Sequence, residues 1–103
     1  MKAIVAYGAK DYRFCEVDTP KVREGEILIK IEAAGICASD RAVYMGGDPW
    51  GGIESPRVPG HEFVGTVEEI GPGAEKKGFV RGDRVTAECI MPCGKSYYCK
   101  KGL

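Results

Sequence analysis

Glycine and proline place the tightest constraint on what this chain can fold into. Fifteen glycines and six prolines are spread over 103 residues and cut the sequence into short segments. Both residues disfavour helix interiors, so short strands joined by turns are the structures that fit between them. The clearest strand spans residues 26–32, where Ile27, Ile29 and Ile31 alternate with Leu28, Lys30 and Glu32. Residues 2–7 and 12–17 read as strands joined by a Gly-Ala-Lys-Asp turn. Residues 62–70 form another, with Phe63, Gly65 and Val67 on one side. Phe79-Val80 and residues 84–88 bracket a Gly82-Asp83 turn. Only residues 39–44 suit a helical turn or two, and residues 46–60 read as loop. The pattern predicts a mainly β chain, either barrel or sandwich. The length allows one small domain with a modest core.

Charge excludes one class of partner. Fifteen basic and fifteen acidic residues give a formal net charge of zero, and the basic ones are scattered. Nucleic-acid binding needs a concentrated basic face, so none is expected. No stretch approaches the roughly 20 apolar residues of a membrane-spanning helix. The apolar run after Met1-Lys2 is too short for a leader. These features predict a soluble, cytoplasmic protein without a membrane partner. Five cysteines are many for this length, and an odd number without a leader argues against a disulfide framework. Cys15, alone in a strand-like stretch, reads as a buried structural thiol.

Residues 90–99, Ile-Met-Pro-Cys-Gly-Lys-Ser-Tyr-Tyr-Cys, admit three readings. Gly94-Lys95-Ser96 would close a phosphate-binding loop, but Cys89 stands where that motif needs its first glycine. Cys93-Gly94-Lys95-Ser96 looks like a one-thiol redox motif, but no thioredoxin-like unit fits around it. Cys93 and Cys99 are also spaced like two members of a metal-binding run that lacks a third. A second cluster lies upstream, in Gly35-Ile36-Cys37-Ala38-Ser39-Asp40 and Pro59-Gly60-His61-Glu62. Cys37, His61 and Glu62 supply the thiolate, imidazole and carboxylate that zinc accepts. They sit at a strand end and a strand start, which a barrel can bring together.

Five segments taken in order carry a resemblance. "MKAIV", "EGEILIKIEAAGICASD", "PGHEFVGTVEEIG", "GDRVTAE" and "PCGKSYYCKKG" resemble the zinc-dependent alcohol and polyol dehydrogenases of the medium-chain dehydrogenase/reductase superfamily. The resemblance implies a GroES-like, partly open β-barrel that forms part of the catalytic domain over residues 1–103. It implies that Cys37 and His61 are catalytic zinc ligands, with Glu62 beside the metal or bound to it. Ser39 would pass the substrate's proton toward solvent, and Asp40 would accept a hydrogen bond from His61 and fix its tautomer. The loop around Tyr44 and Trp50 would border the substrate pocket. The substrate would be a small alcohol, a secondary alcohol or polyol by resemblance, and the full enzyme a homo-oligomer.

Two departures from the family pattern matter. Arg41-Ala42-Val43 stands where some members carry an outer relay histidine, so that relay is expected to differ or run through water. In the lobe of about residues 89–103, Ser96 replaces the second structural-zinc cysteine. A serine hydroxyl is a poor zinc ligand beside thiolates, so no fully formed structural site is expected from Cys93 and Cys99. Cys89 is the one upstream candidate to replace the lost thiol. The sequence also lacks the G-x-G-x-x-G turn of a dinucleotide-binding domain, through which NAD or NADP would bind. The chain is therefore expected to be an N-terminal fragment, inactive alone. Competing classes are a non-enzymatic GroES-like binding or assembly module and a zinc-free quinone-reductase-type relative. The Cys37–His61 pair argues against both.

Overall fold

A computed structural model describes residues 1–47 and 55–102. Two antiparallel sheets carry the structure. Strands β1 (Lys2–Gly8) and β2 (Asp11–Glu16) form a hairpin in which Ile4 pairs with Phe14 and Ala3 with Cys15. Its turn is tight enough to put Lys10 at φ 60°, a left-handed conformation uncommon outside glycine. Strands β3 (Ile27–Ala34), β4 (Phe63–Ile70) and β5 (Arg84–Val85) form the second sheet in that order. β3 and β4 pair along their whole length, from Ile27 opposite Ile70 to Ala34 opposite Phe63. The sheets do not close on one another, so the architecture is that of an open, partial GroES-like β domain.

The second sheet needs glycine at its centre. Gly65 in β4 is buried opposite Ile31. A Cβ there would run into the Lys30 carbonyl oxygen and lie 2.7 Å from Ile29 Cγ2. Only a residue without a side chain lets β3 and β4 approach this closely. Next to it, Val67 is 2% exposed and sits in the small core with Val5, Ala6 and Ala74.

Three expectations are corrected. Residues 79–80 form no strand and β5 is two residues long, because the Gly82-Asp83 turn folds back onto β4 instead. Val67 N–H donates to the Asp83 carbonyl at 2.9 Å, and Gly82 N–H donates to the Val67 carbonyl at 2.9 Å. In β3, Leu28 is half-buried like Ile29, while Ile31 is 52% exposed, so its two sides are not cleanly apolar and polar. Cys15 is half-buried in β2 rather than enclosed in a core.

Two helices frame the chemistry. α1 (Ala38–Tyr44) fills the segment where a helical turn was expected. α2 (Tyr97–Lys101) was not expected from so short a stretch. Its signals are local: Ser96 Oγ accepts the Cys99 N–H, Lys100 and Lys101 occupy the last turn, and Gly102 ends it in a left-handed conformation.

Candidate metal centre

The end of β3 and the start of β4 are tied by one backbone bond, Gly35 N–H to the Glu62 carbonyl at 2.8 Å. This places the segment entering α1 against the segment entering β4. Cys37 is the N-cap residue of α1, in extended conformation at φ −78°, ψ 157°. Gly60, at φ 112°, precedes His61 and turns the chain into β4. The ligand atoms of Cys37, His61 and Glu62 consequently lie within 4.8 Å of one another. Among the described residues, this is the one cluster of three such groups.

Asp40 braces the cluster from α1. Its Oδ2 accepts the Cys37 backbone N–H at 2.8 Å, and its Oδ1 lies 3.6 Å from His61 Nδ1. One carboxylate thus caps the helix and lies beside the imidazole, just beyond hydrogen-bond distance. Gly35 has a part that the sequence reading missed. A Cβ there would lie 2.6 Å from Glu62 Oε2, so glycine leaves the space that the carboxylate occupies.

The electrostatics couple Cys37 to His61. Hydrogen bonds from the Ser39 hydroxyl and backbone, and from His61, lower the Cys37 pKa below its usual value. His61 is raised, chiefly by its hydrogen bond to Cys37 and further by the Asp40 charge, against desolvation. Each group therefore favours the ionised form of the other. A soft thiolate, an imidazole and a carboxylate form a donor set that zinc accepts.

A cavity of about 590 Å³ opens beside the cluster, lined by Cys37, Ser39, Asp40, His61 and Tyr12 among others. Arg57 and Cys89 also face it. The Cys89 thiol donates to the His61 carbonyl at 3.5 Å. The structure therefore brings Cys89 to the upstream cluster and not to Cys93, so it supplies no missing thiol to the lobe. Tyr44 is not among the cavity's described lining residues. It packs edge-on against Tyr12, with ring centroids 5.1 Å apart, and supports the wall from behind. Trp50 lies outside the described residues.

Cys93 and Cys99 do come together, with their sulfurs 3.7 Å apart. Ser96 N–H donates to Cys93 Sγ at 3.3 Å. Ser96, the neighbouring amides and Cys99 push the Cys93 pKa down to about 6. A lowered thiol here is what the sequence reading had set aside for want of a thioredoxin-like unit. The lobe's own turn supplies the donors instead. Among the described residues no third thiol, imidazole or carboxylate joins the pair. Two thiols and a neutral hydroxyl do not fit a structural zinc.

Residues 23–103 match the family described as the alcohol dehydrogenase GroES-like domain. The chain belongs to this family. It is 44% identical to the erythritol/L-threitol dehydrogenase of Mycolicibacterium smegmatis, over 99% of this chain and 30% of that protein. Among solved structures, the zinc dependent alcohol dehydrogenase 2 from Streptococcus pneumonia superposes with a TM-score of 0.81 at 36% identity. That match covers 99% of this chain and 28% of the other. The acetophenone reductase of Geotrichum candidum in complex with NAD gives a TM-score of 0.81 at 36% identity, over 97% of this chain and 29% of that one. The chain thus spans about 30% of the length of the curated relatives it matches. No helix among the described residues is long and apolar enough to cross a membrane.

Proposed function

We propose that this chain holds the catalytic zinc of a nicotinamide-dependent dehydrogenase that oxidises a secondary alcohol or polyol to the carbonyl compound. The observation that carries the reading is the gathering of the Cys37, His61 and Glu62 ligand atoms within 4.8 Å of one another, with Cys37 and His61 lining a cavity. Cys37 and His61 would hold the ion, and Glu62 would share in holding it. Zinc in such a site supplies Lewis acidity, which makes an alcohol O–H easier to ionise.

The remaining work falls to this chain's own side chains. Ser39 faces the cavity two residues from Cys37 and receives the proton that the substrate hydroxyl releases. Asp40, 3.6 Å from Nδ1, would favour a proton on that nitrogen and leave the Nε2 lone pair for the ion. Tyr12 gives the cavity an aromatic wall backed by Tyr44. With no outer histidine, the proton passes from Ser39 to solvent through the open cavity. The polyol substrate is supported by the similarity to the erythritol/L-threitol dehydrogenase, and the nicotinamide by the NAD complex of the acetophenone reductase. The nicotinamide would be held by a part of the protein that these residues do not contain.

The test is Cys37→Ala in the full-length protein, read by metal content and by turnover. Wild type is expected to carry about one zinc per chain, because Ser96 stands in the lobe at Cys93 where a thiolate ligand would. The variant is expected to lose that zinc and its activity while its circular dichroism is retained. A variant that keeps both its zinc and its turnover would overturn the assignment.

A further inference from the structure

The mismatch between the 93–102 lobe and zinc leaves two thiols with another use. Cys93 is exposed and Cys99 half-buried, and both are free. Their sulfurs are 3.7 Å apart across a turn that Gly94 makes with φ 69°. Closing that gap to the about 2.05 Å of a disulfide requires an approach of about 1.7 Å, within reach of side-chain rotation. Ser96, at the position of the missing thiol, keeps the turn in shape. It caps α2 through its hydroxyl and donates its backbone N–H to Cys93. Among the described residues no other thiol, imidazole or carboxylate joins the two sulfurs, and Cys89 bonds to the His61 carbonyl instead.

We infer that Cys93 and Cys99 form a dithiol that a hydroperoxide converts reversibly to an intramolecular disulfide. Cys93 sulfur attacks one peroxide oxygen, the O–O bond breaks, and the departing oxygen leaves as water once protonated. The resulting sulfenic acid on Cys93 is attacked by Cys99 sulfur. The S–O bond breaks, the S–S bond forms, and a second water leaves. In sum, two thiols lose two protons and two electrons, and one hydrogen peroxide becomes two waters. A small thiol such as glutathione reverses the step by exchange. This reading is independent of the catalytic assignment, since neither thiol touches the Cys37 cluster.

The experiment uses the full-length protein and hydrogen peroxide, followed by blocking of free thiols and mass spectrometry. Trypsin cuts after Lys95 and Lys100, so the peptides 85–95 and 96–100 stay joined only through a disulfide from Cys99 to Cys93 or Cys89, which fragment ions and the Cys93→Ser variant tell apart. The expected result is that joined pair, with a mass loss of about 2 Da that dithiothreitol restores. Reactive thiols within residues 1–103 fall from the five present to three. Cys93→Ser and Cys99→Ser should each abolish the joined pair, and both are small enough changes to leave the exposed lobe folded. Two results would overturn the inference. One is full alkylation of both thiols after peroxide. The other is stoichiometric zinc retained by Cys37→Ala and lost on Cys93→Ser, which would make the lobe a metal site after all.

Discussion

Ser96 shows what one residue decides at this scale. A thiol at that position would have completed three members of a metal run, whereas the hydroxyl caps α2 and helps hold a thiolate. The substitution was legible in the sequence. Its effect on Cys93 was not, because that depends on the turn which aims the amides at the sulfur. The same holds for Cys89, which sequence distance assigns to Cys93 and the fold assigns to His61. At the Cys37 cluster, ligand types pointed to Cys37, His61 and Glu62, and the family resemblance added Asp40. Gly35 stood in the quoted cluster without a role, because its contribution is an empty volume. A pH prediction follows from Cys93. The thiolate is the nucleophile, so a pKa of about 6 means that reactivity rises with pH through about 6 and is lost below it. An ordinary cysteine rises through about 8.5 instead. Peptide-resolved alkylation with iodoacetamide across pH 5–9 should show the early midpoint at Cys93. Ser96→Ala should move it upward, because the Ser96 hydroxyl is the largest cause of the shift. A wild-type midpoint near the ordinary value would refute the account.

At the scale of elements, alternation found the strands and their approximate ends, since period-two patterns survive wherever one face is buried. It found neither the two bulges between β3 and β4, after Leu28 and after Ile31, nor the shortness of β5. Those follow from pairing between strands distant in sequence, which no local pattern encodes. The close approach of β3 to β4 at Gly65 belongs to the same class. It carries the sharpest stability prediction, because the obstacle to a side chain there is backbone and cannot step aside. Gly65→Ala in the full-length protein should destabilise this domain by about 1–3 kcal/mol, the usual range for overpacking. Urea unfolding followed by circular dichroism should show a lower midpoint with an unchanged slope. An unchanged midpoint would mean that β3 and β4 can separate freely. The distance between the Cys37 and His61 segments is set by this pairing, so the variant should also weaken zinc retention.

At the scale of the whole molecule, the burial pattern and the apparent family fold pull in different directions. Among the described residues the buried apolar side chains are Val5, Ala6, Val67 and Ala74, all small. Phe14 is 73% exposed, and Ile4 and Ile31 are each 52% exposed. A second cavity of about 690 Å³ lies where the two sheets face each other, lined by Ile4, Leu28, Ile29 and Phe63 among others. Hydrophobic burial contributes roughly 25 cal/mol per Å² removed from water, and here much of the apolar surface keeps its water. Ordering each residue costs on the order of 1–2 kcal/mol in backbone entropy, which so small a core offsets poorly. Residues 1–103 prepared alone should therefore behave as a loosely packed β chain. They are expected to bind a hydrophobic dye such as ANS and to lose ellipticity over a broad temperature range without a sharp transition. The same residues within the full-length protein should melt cooperatively and leave the dye unbound. A sharp transition in the isolated chain would show that the two sheets already close their shared cavity, and that the exposed Phe14 and Ile31 contribute little to holding the domain together.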